Sequence, residues 1–212
     1  LPVDGLTFRS NFGIDSRTVQ DYEYFTSETT ERQLGTSYAK NAVDKYSMFT
    51  WENYFSYNKE VGGGKHSIGA TLLQSIQQDL EESNNSAVQS LPSDILKYYD
   101  LAAGLTVDGV KSNYVKWNMA SFMGRINYGF MGKYLVTVSA RYDGSSRLAD
   151  GHKWVLFPSA ALAWRMSDEK FLKHVSWIDN LKLRLGYGKT GNSSVDPYQT
   201  KGALGLKHYV YS

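Results

Sequence analysis

The chain has 212 residues, of which 42% are hydrophobic, 14% aromatic and 21% charged, with a net charge of +2 and no cysteine. It is too aromatic and too balanced in charge for a disordered tail. It lacks the basic field that nucleic acid requires, and it can form neither disulfide staples nor thiolate sites. No stretch approaches the roughly 18 apolar residues of a spanning helix; the longest, Ser159 to Trp164, stops at Arg165. That excludes helical membrane proteins and says nothing against strands that cross a bilayer. The chain opens Leu1-Pro2-Val3, with neither a basic n-region nor an apolar h-region, so any signal peptide is expected to lie outside it.

Period-two alternation predicts about seven strands and the start of an eighth. Gly5 to Asp15 is the first, followed by a long polar loop from Ser16 to Asp44. Tyr46 to Tyr57 and Lys65 to Gln77 come next, joined by a turn over Asn58 to Lys65 that holds three consecutive glycines. The longest loop spans Asp79 to Asn118. Within it Leu91 to Tyr99 reads as a short helix, with Ser93 and Asp94 as its cap. Met119 to Phe130 and Lys133 to Asp143 form strands about the Met131-Gly132 turn. A loop from Gly144 to Lys153 leads to the strand Trp154 to Met166, where Pro158 is a misfit in a hydrogen-bonded ladder and a bulge near the rim is expected. Ser167 to Asp179 is compact, with Ser167-Asp168-Glu169 as an N-capped helical turn. Asn180 to Thr190 is the seventh strand, Gly191 to Gly202 a loop, and the tail from Ala203 begins another strand.

The apolar faces need a second sheet or lipid to cover them. Tyr134 and Tyr142 flank only valine and alanine on one face of their strand, and Trp154 and Trp164 flank aliphatics on the next. At about 3.3 Å per residue and a tilt near 40°, these pairs stand roughly 20–25 Å apart along a membrane normal, the height of a lipid-facing band. Arg125, Arg141, Arg165, Lys182 and Arg184 alternate onto the opposite face. Short connections at one end and long ones at the other complete the layout of an outer-membrane barrel.

Motifs for chemistry are weak. Gly186-x-Gly188-x-x-Gly191 lacks the helix that a dinucleotide fingerprint opens, and Gly62-Gly-Gly-Lys65 lacks the upstream glycine and hydroxyl of a phosphate loop. His66, His152, His174 and His208 are isolated, Glu52 falls alone on the inner face, and Asp79, Glu81 and Glu82 lack the spacing of an oxygen cage. Neither a metal, a cofactor nor a catalytic set is expected, so the chain does not read as an enzyme. The ligand-contact candidates are Tyr98, Tyr99, Tyr114 and Trp117 in the longest loop and Arg147 in another, because flat rings stack on sugars while polar neighbours fix orientation. Trp154 reads as a girdle residue.

From Ser121 to Asn192 the sequence resembles the SusC/RagA family of TonB-dependent outer-membrane transporters. The resemblance rests on Ser121-Phe-Met-Gly-Arg-Ile-Asn-Tyr128, Lys133-Tyr-Leu135, Arg141-Tyr-Asp-Gly-Ser-Ser-Arg147, Trp154 with Phe157-Pro-Ser159, Trp164-Arg165, Asp179-Asn-Leu-Lys-Leu-Arg184 and Gly186-Tyr-Gly-Lys-Thr-Gly-Asn192. Residues 1 to 120 match mainly in strand-and-loop rhythm, and Leu148 and Lys170 depart from the pattern. The resemblance implies an all-β, antiparallel transmembrane β-barrel segment, about eight strands of a 22-stranded barrel closed by a plug. The whole of residues 1–212 is then expected to be barrel, with the plug and N-terminal regions outside this chain. It further implies import of oligosaccharides or peptides, a SusD-like surface lipoprotein as partner, and energy from TonB, ExbB and ExbD reached through the missing N-terminal region. A passive porin and a soluble carbohydrate-binding β-domain are the alternative readings.

Overall fold

The computed structural model describes residues 3–30, 35–172, 174, 175, 177–192 and 195–200. Seven strands follow one another in a single antiparallel sheet whose spatial order is the chain order: β1 (Leu6–Phe25), β2 (Tyr38–Val61), β3 (His66–Gln89), β4 (Thr106–Phe130), β5 (Tyr134–Ser145), β6 (Trp154–Arg165) and β7 (Lys182–Gly188). The expected tail strand from Ala203 lies outside the described residues.

Connection lengths follow the expected alternation only in part: the β2–β3 and β4–β5 turns are short, but the β6–β7 connection, residues 166–181, is as long as the β3–β4 connection, residues 90–105. At the short end, Gly62, Gly63 and Gly64 all take positive φ in the β2–β3 turn. Met131 and Gly132 do the same between β4 and β5, at 52° and 68°, and the Lys133 N–H closes on the Phe130 carbonyl at 3.0 Å. Two successive left-handed residues make a turn whose twist matches the strands it joins. The β6–β7 connection holds a 3-10 turn at Met166–Asp168 rather than a capped helical turn; Arg165 occupies the cap position and no side chain caps it.

The chain divides into two compact units. The first comprises Leu1–Gly13, Thr50–Gln77 and Trp117–Ser212. In it β4, β5 and β6 pair without a break, Phe122 facing Tyr142, Phe130 facing Tyr134, and Tyr134 facing Trp164. The alternation gives an outward face of Phe122, Ile126, Val138, Leu156, Leu162 and Leu185, all exposed. Aromatic rows bound this apolar band. Phe130, Tyr134 and Trp164 stack at 6.3 Å steps at one end, and Phe122, Trp154 and Tyr142 stack at 6.1 and 4.8 Å at the other. Exposed apolar residues between two aromatic rows describe a surface solvated by lipid. The other face is polar: Arg141 donates to Asp143 at 2.7 Å and to the buried Ser121 hydroxyl at 3.1 Å.

Pro158 makes no bulge. The β5–β6 register runs continuously through the pair Ala140 and Pro158. Successive residues of a strand turn their hydrogen-bonding groups to opposite neighbours. The Pro158 carbonyl accepts from Lys189 N–H at 3.0 Å, one step past the last β6–β7 pair, Ser159 and Gly188. The missing N–H therefore falls at the terminus of a ladder, where no register shift is needed to absorb it.

The second unit comprises Ile14–Phe49 and Gln78–Lys116. The sequence reads both segments as mainly loop, and both are mainly strand. The expected helix over Leu91 to Tyr99 is also absent. Ser93 does accept the Ile95 N–H, but successive three-residue turns follow, closed by Leu96 N–H to Ser93 and Tyr99 N–H to Leu96. The positive φ of Lys97, 45°, breaks any right-handed helix there. A 3-10 turn forms later, at Leu101–Ala103, capped by the Asp100 carboxylate. The small core of this unit is Ala39, Val88 and Leu91, packed by Tyr24, Leu96, Tyr98 and Leu101. Gly104 lies so close to Val88 that a Cβ would sit 2.6 Å from that side chain, which accounts for glycine at an ordinary φ.

Candidate ligand-contact site

Two groups of aromatic and polar residues stand on the long connections, one in each unit. In the first unit, the connection from β5 to β6 folds back on the middle of β4, just beyond the last β4–β5 pair: Ser146 N–H reaches the Asn118 carbonyl at 3.0 Å, and Asn118 N–H reaches the Ser146 hydroxyl at 2.9 Å. This reciprocal pair brings Arg147 over Trp117, its guanidinium carbon 3.8 Å from the ring centroid. The arrangement is a cation–π contact. Arg147 Nε is buried and has no hydrogen-bond partner among the described residues. Its backbone N–H meets the buried Ser145 hydroxyl at 3.3 Å.

Ser145 also lines an open cavity of about 300 Å³, with Asp143, His152, Val155, Phe157 and Lys189. Asp143, Val155 and Phe157 share the polar, inward face of β5 and β6. Gly191 lies against the Phe157 ring, where a Cβ would come within 2.6 Å. The space suits a single sugar ring or side chain, with a carboxylate, an imidazole and an ammonium group for orientation and an aromatic edge for contact.

In the second unit Tyr98 and Tyr99 do come together. Their rings lie 4.5 Å apart and their hydroxyls 3.3 Å apart, and Tyr22 of β1 stacks on Tyr98 at 4.9 Å and 15°. Tyr24 ties the shelf down through a 2.5 Å hydrogen bond to Asp94. Lys40 bridges Asp21 and Glu23 at 2.7 and 2.6 Å beside it. Tyr114 stands apart on β4, 55% exposed, and has no ring contact to the shelf among the described residues. Of the five residues singled out from sequence, then, Arg147 joins Trp117, Tyr98 joins Tyr99, and Tyr114 joins neither group. Tyr22, Ser145, Phe157 and Lys189 are not among the sequence candidates, and His152, isolated in the sequence, joins the cavity lining. Alternation alone points to Phe157, since it shares a face with Arg141 and Asp143, but nothing local marks Tyr22, whose segment reads as loop.

At the short end of the first unit Glu169 accepts from Tyr134 hydroxyl at 2.7 Å, Lys133 Nζ at 3.1 Å and Trp164 Nε1 at 3.3 Å. The Tyr134 hydrogen bond, then those from Lys133 and Trp164, hold its carboxyl below the ordinary value. A depressed carboxylate adds stability above its unfolded pKa of roughly 4.3 and loses it as pH falls through the folded value. Glu169→Gln is therefore expected to lower the thermal midpoint of the full-length protein at pH 7 and to flatten its decline below pH 4. Parallel pH-dependent melting of wild type and variant checks this, and identical pH profiles would remove Glu169 from the account.

The family model described as TonB dependent receptor-like, beta-barrel, matches residues 3–207. TonB-dependent receptor P26 of Formosa agariphila is 38% identical over 207 residues, covering 96% of this chain and 21% of that protein. Receptor P3 of the same organism is 33% identical over 201 residues, covering 93% and 20%. TonB-dependent receptor SusC of Bacteroides thetaiotaomicron is 46% identical over 77 residues, 36% of this chain and 8% of that one. The chain thus spans about a fifth of the length of the first two relatives. Among solved structures, the RagAB peptide transporter superposes with a TM-score of 0.89 over 99% of this chain and 23% of its own, at 21% identity, a likeness of fold.

Proposed function

Because the chain belongs to the TonB-dependent receptor β-barrel family and forms part of an outer-membrane β-barrel, we propose that it serves TonB-driven import of oligosaccharides or peptides. In this reading its seven strands are about a third of a plugged barrel. TonB, ExbB and ExbD act through a region outside the chain, and a SusD-like lipoprotein covers the mouth. The work is capture and gated passage, without covalent chemistry.

The observation that carries the reading is the Arg147–Trp117 pair beside a cavity of mixed lining, with Asp143, His152 and Lys189 among apolar side chains, at the long-connection end of a lipid-banded sheet. The buried Arg147 Nε offers a hydrogen bond to a carboxylate or sugar hydroxyl, and Trp117 keeps the guanidinium in place. Tyr98, Tyr99 and Tyr114 offer further stacking surfaces. Arg147→Ala or Trp117→Ala is expected to weaken substrate binding by the full-length receptor roughly tenfold, the worth of about 1–2 kcal/mol for a partly desolvated cation–π pair. Arg147→Lys keeps charge but loses the fork, and recovers only part of it. Isothermal titration with the imported substrate measures all three.

The broader test is uptake by cells carrying or lacking this gene, offered labelled oligosaccharides and peptides with and without a protonophore. Import that needs the gene and collapses with the proton gradient supports the proposal. Uptake that persists without the gradient indicates a passive pore instead.

A further inference from the structure

The outward face of the first unit carries two features that a mere lipid boundary does not require. One is a groove of about 440 Å³. Its floor is made of small residues, Gly124 and its cross-strand partner Ala140. Phe122, Tyr142 and Leu156 form one wall, and Phe55 and Leu72 close the end. The other feature is an amide pair lining the same groove: Asn53 Nδ2 donates to Gln74 Oε1 at 2.7 Å. Asn53 alternates with Trp51 and Phe55, 44% and 46% exposed, and Gln74 follows Leu72, 62% exposed, on its own face. Nearby, the Trp51 indole N–H is already satisfied by the Ser10 hydroxyl at 3.0 Å.

One hydrogen bond between two carboxamides leaves a carbonyl oxygen and N–H donors over. Here the Asn53 carbonyl and the Gln74 amino group have no other partner among the described residues. Hydrocarbon cannot supply one, and an unmet polar group in the bilayer is costly. Both groups lie toward the Tyr142 and Trp154 row, at the long-connection end, which in barrels of this kind faces outward. An acyl carbonyl answers the Gln74 donors. The Asn53 carbonyl needs a donor close to that acyl carbonyl, which an ester-linked phospholipid lacks and an amide-linked, hydroxylated acyl chain provides. We infer that this groove binds an amide-linked acyl chain of an outer-leaflet glycolipid, its hydrocarbon lying over Gly124 and Ala140 and its amide meeting Asn53 and Gln74.

The inference is independent of what the barrel imports. The test uses the full-length receptor in mild detergent, titrated with lipid A or with phosphatidylethanolamine and read by native mass spectrometry. Two variants probe the two features. The double change Asn53→Leu with Gln74→Leu removes the amides without adding an unmet polar group. Gly124→Leu fills the floor, where a Cβ meets only the Leu72 side chain, at 3.7 Å. Wild type is expected to retain lipid A at least tenfold more tightly than phosphatidylethanolamine. Each variant should lose that preference by a similar factor while keeping the heat-modifiable mobility of a folded barrel. Equal retention of both lipids by wild type, no retention at all, or folded variants that bind lipid A like wild type would each overturn the proposal.

Discussion

Ala160→Pro will destabilise the full-length receptor by about 1–3 kcal/mol, while Pro158→Ala will change its stability by less than about 1 kcal/mol. The two positions are only one turn of the pleat apart, and both direct their hydrogen-bonding groups toward β7. Position 158 lies beyond the last ladder pair, so a missing donor there leaves no acceptor stranded in the sheet. Ala160 faces Tyr187 inside the ladder, which runs from Ser159 with Gly188 to Arg165 with Lys182. A proline at that point leaves a carbonyl of β7 without its donor, in a sheet whose outward side is lipid and where water cannot substitute. Urea unfolding of both variants in micelles separates them, and equal losses would mean that the ladder tolerates a gap anywhere.

A second large effect is expected at Gly144. This residue is buried and faces Trp154 across the β5–β6 pair. The indole lies over it so closely that a Cβ would stand 2.5–2.7 Å from three of its carbon atoms. The bare backbone is what allows Trp154 to lie flat and to stack on Tyr142 and Phe122. Gly144→Ala should push the ring out of the row and cost about 1–3 kcal/mol, the usual toll of overpacking. Tryptophan emission shifted from the wild-type maximum, together with a lowered unfolding midpoint, is the expected result. An unchanged midpoint would show that the indole can tilt away without loss.

The contrast between β5 to β7 and β1 to β3 explains what a sequence of this kind discloses. Tyr134, Val136, Val138, Ala140 and Tyr142 oppose threonine, serine and arginine because one side meets lipid and the other a polar interior, and that asymmetry writes period two into the chain. The boundaries expected there lie within two residues of those observed. In Ser16-Arg-Thr-Val-Gln-Asp-Tyr-Glu-Tyr24 no such asymmetry exists: both faces are largely polar, with Ser16, Thr18 and Gln20 on one and Arg17, Asp21 and Glu23 on the other. The backbone pairs all the same, and a reading tuned to alternation sees a loop. The Leu91 to Tyr99 helix failed for a different reason, because capping residues only start a helix and Lys97 leaves the right-handed region four residues later. The Arg147 and Trp117 contact was legible as two candidates but not as a pair, since the Asn118 and Ser146 hydrogen bonds that join them cross from one strand to another.

The length of β1 to β4, 20 to 25 residues each, bears on how such a protein can vary. A crossing strand needs only about 9–11 residues, so the surplus would be free to gain or lose any number if it were loop. As paired strand it obeys parity. One residue inserted near Thr18 would turn Tyr22 and Tyr24 to the opposite face and separate them from Tyr98 and Asp94, whereas two inserted residues would restore the original facing. Natural diversification of this region should therefore proceed in steps of two along the strands, with odd changes confined to the connections that join them.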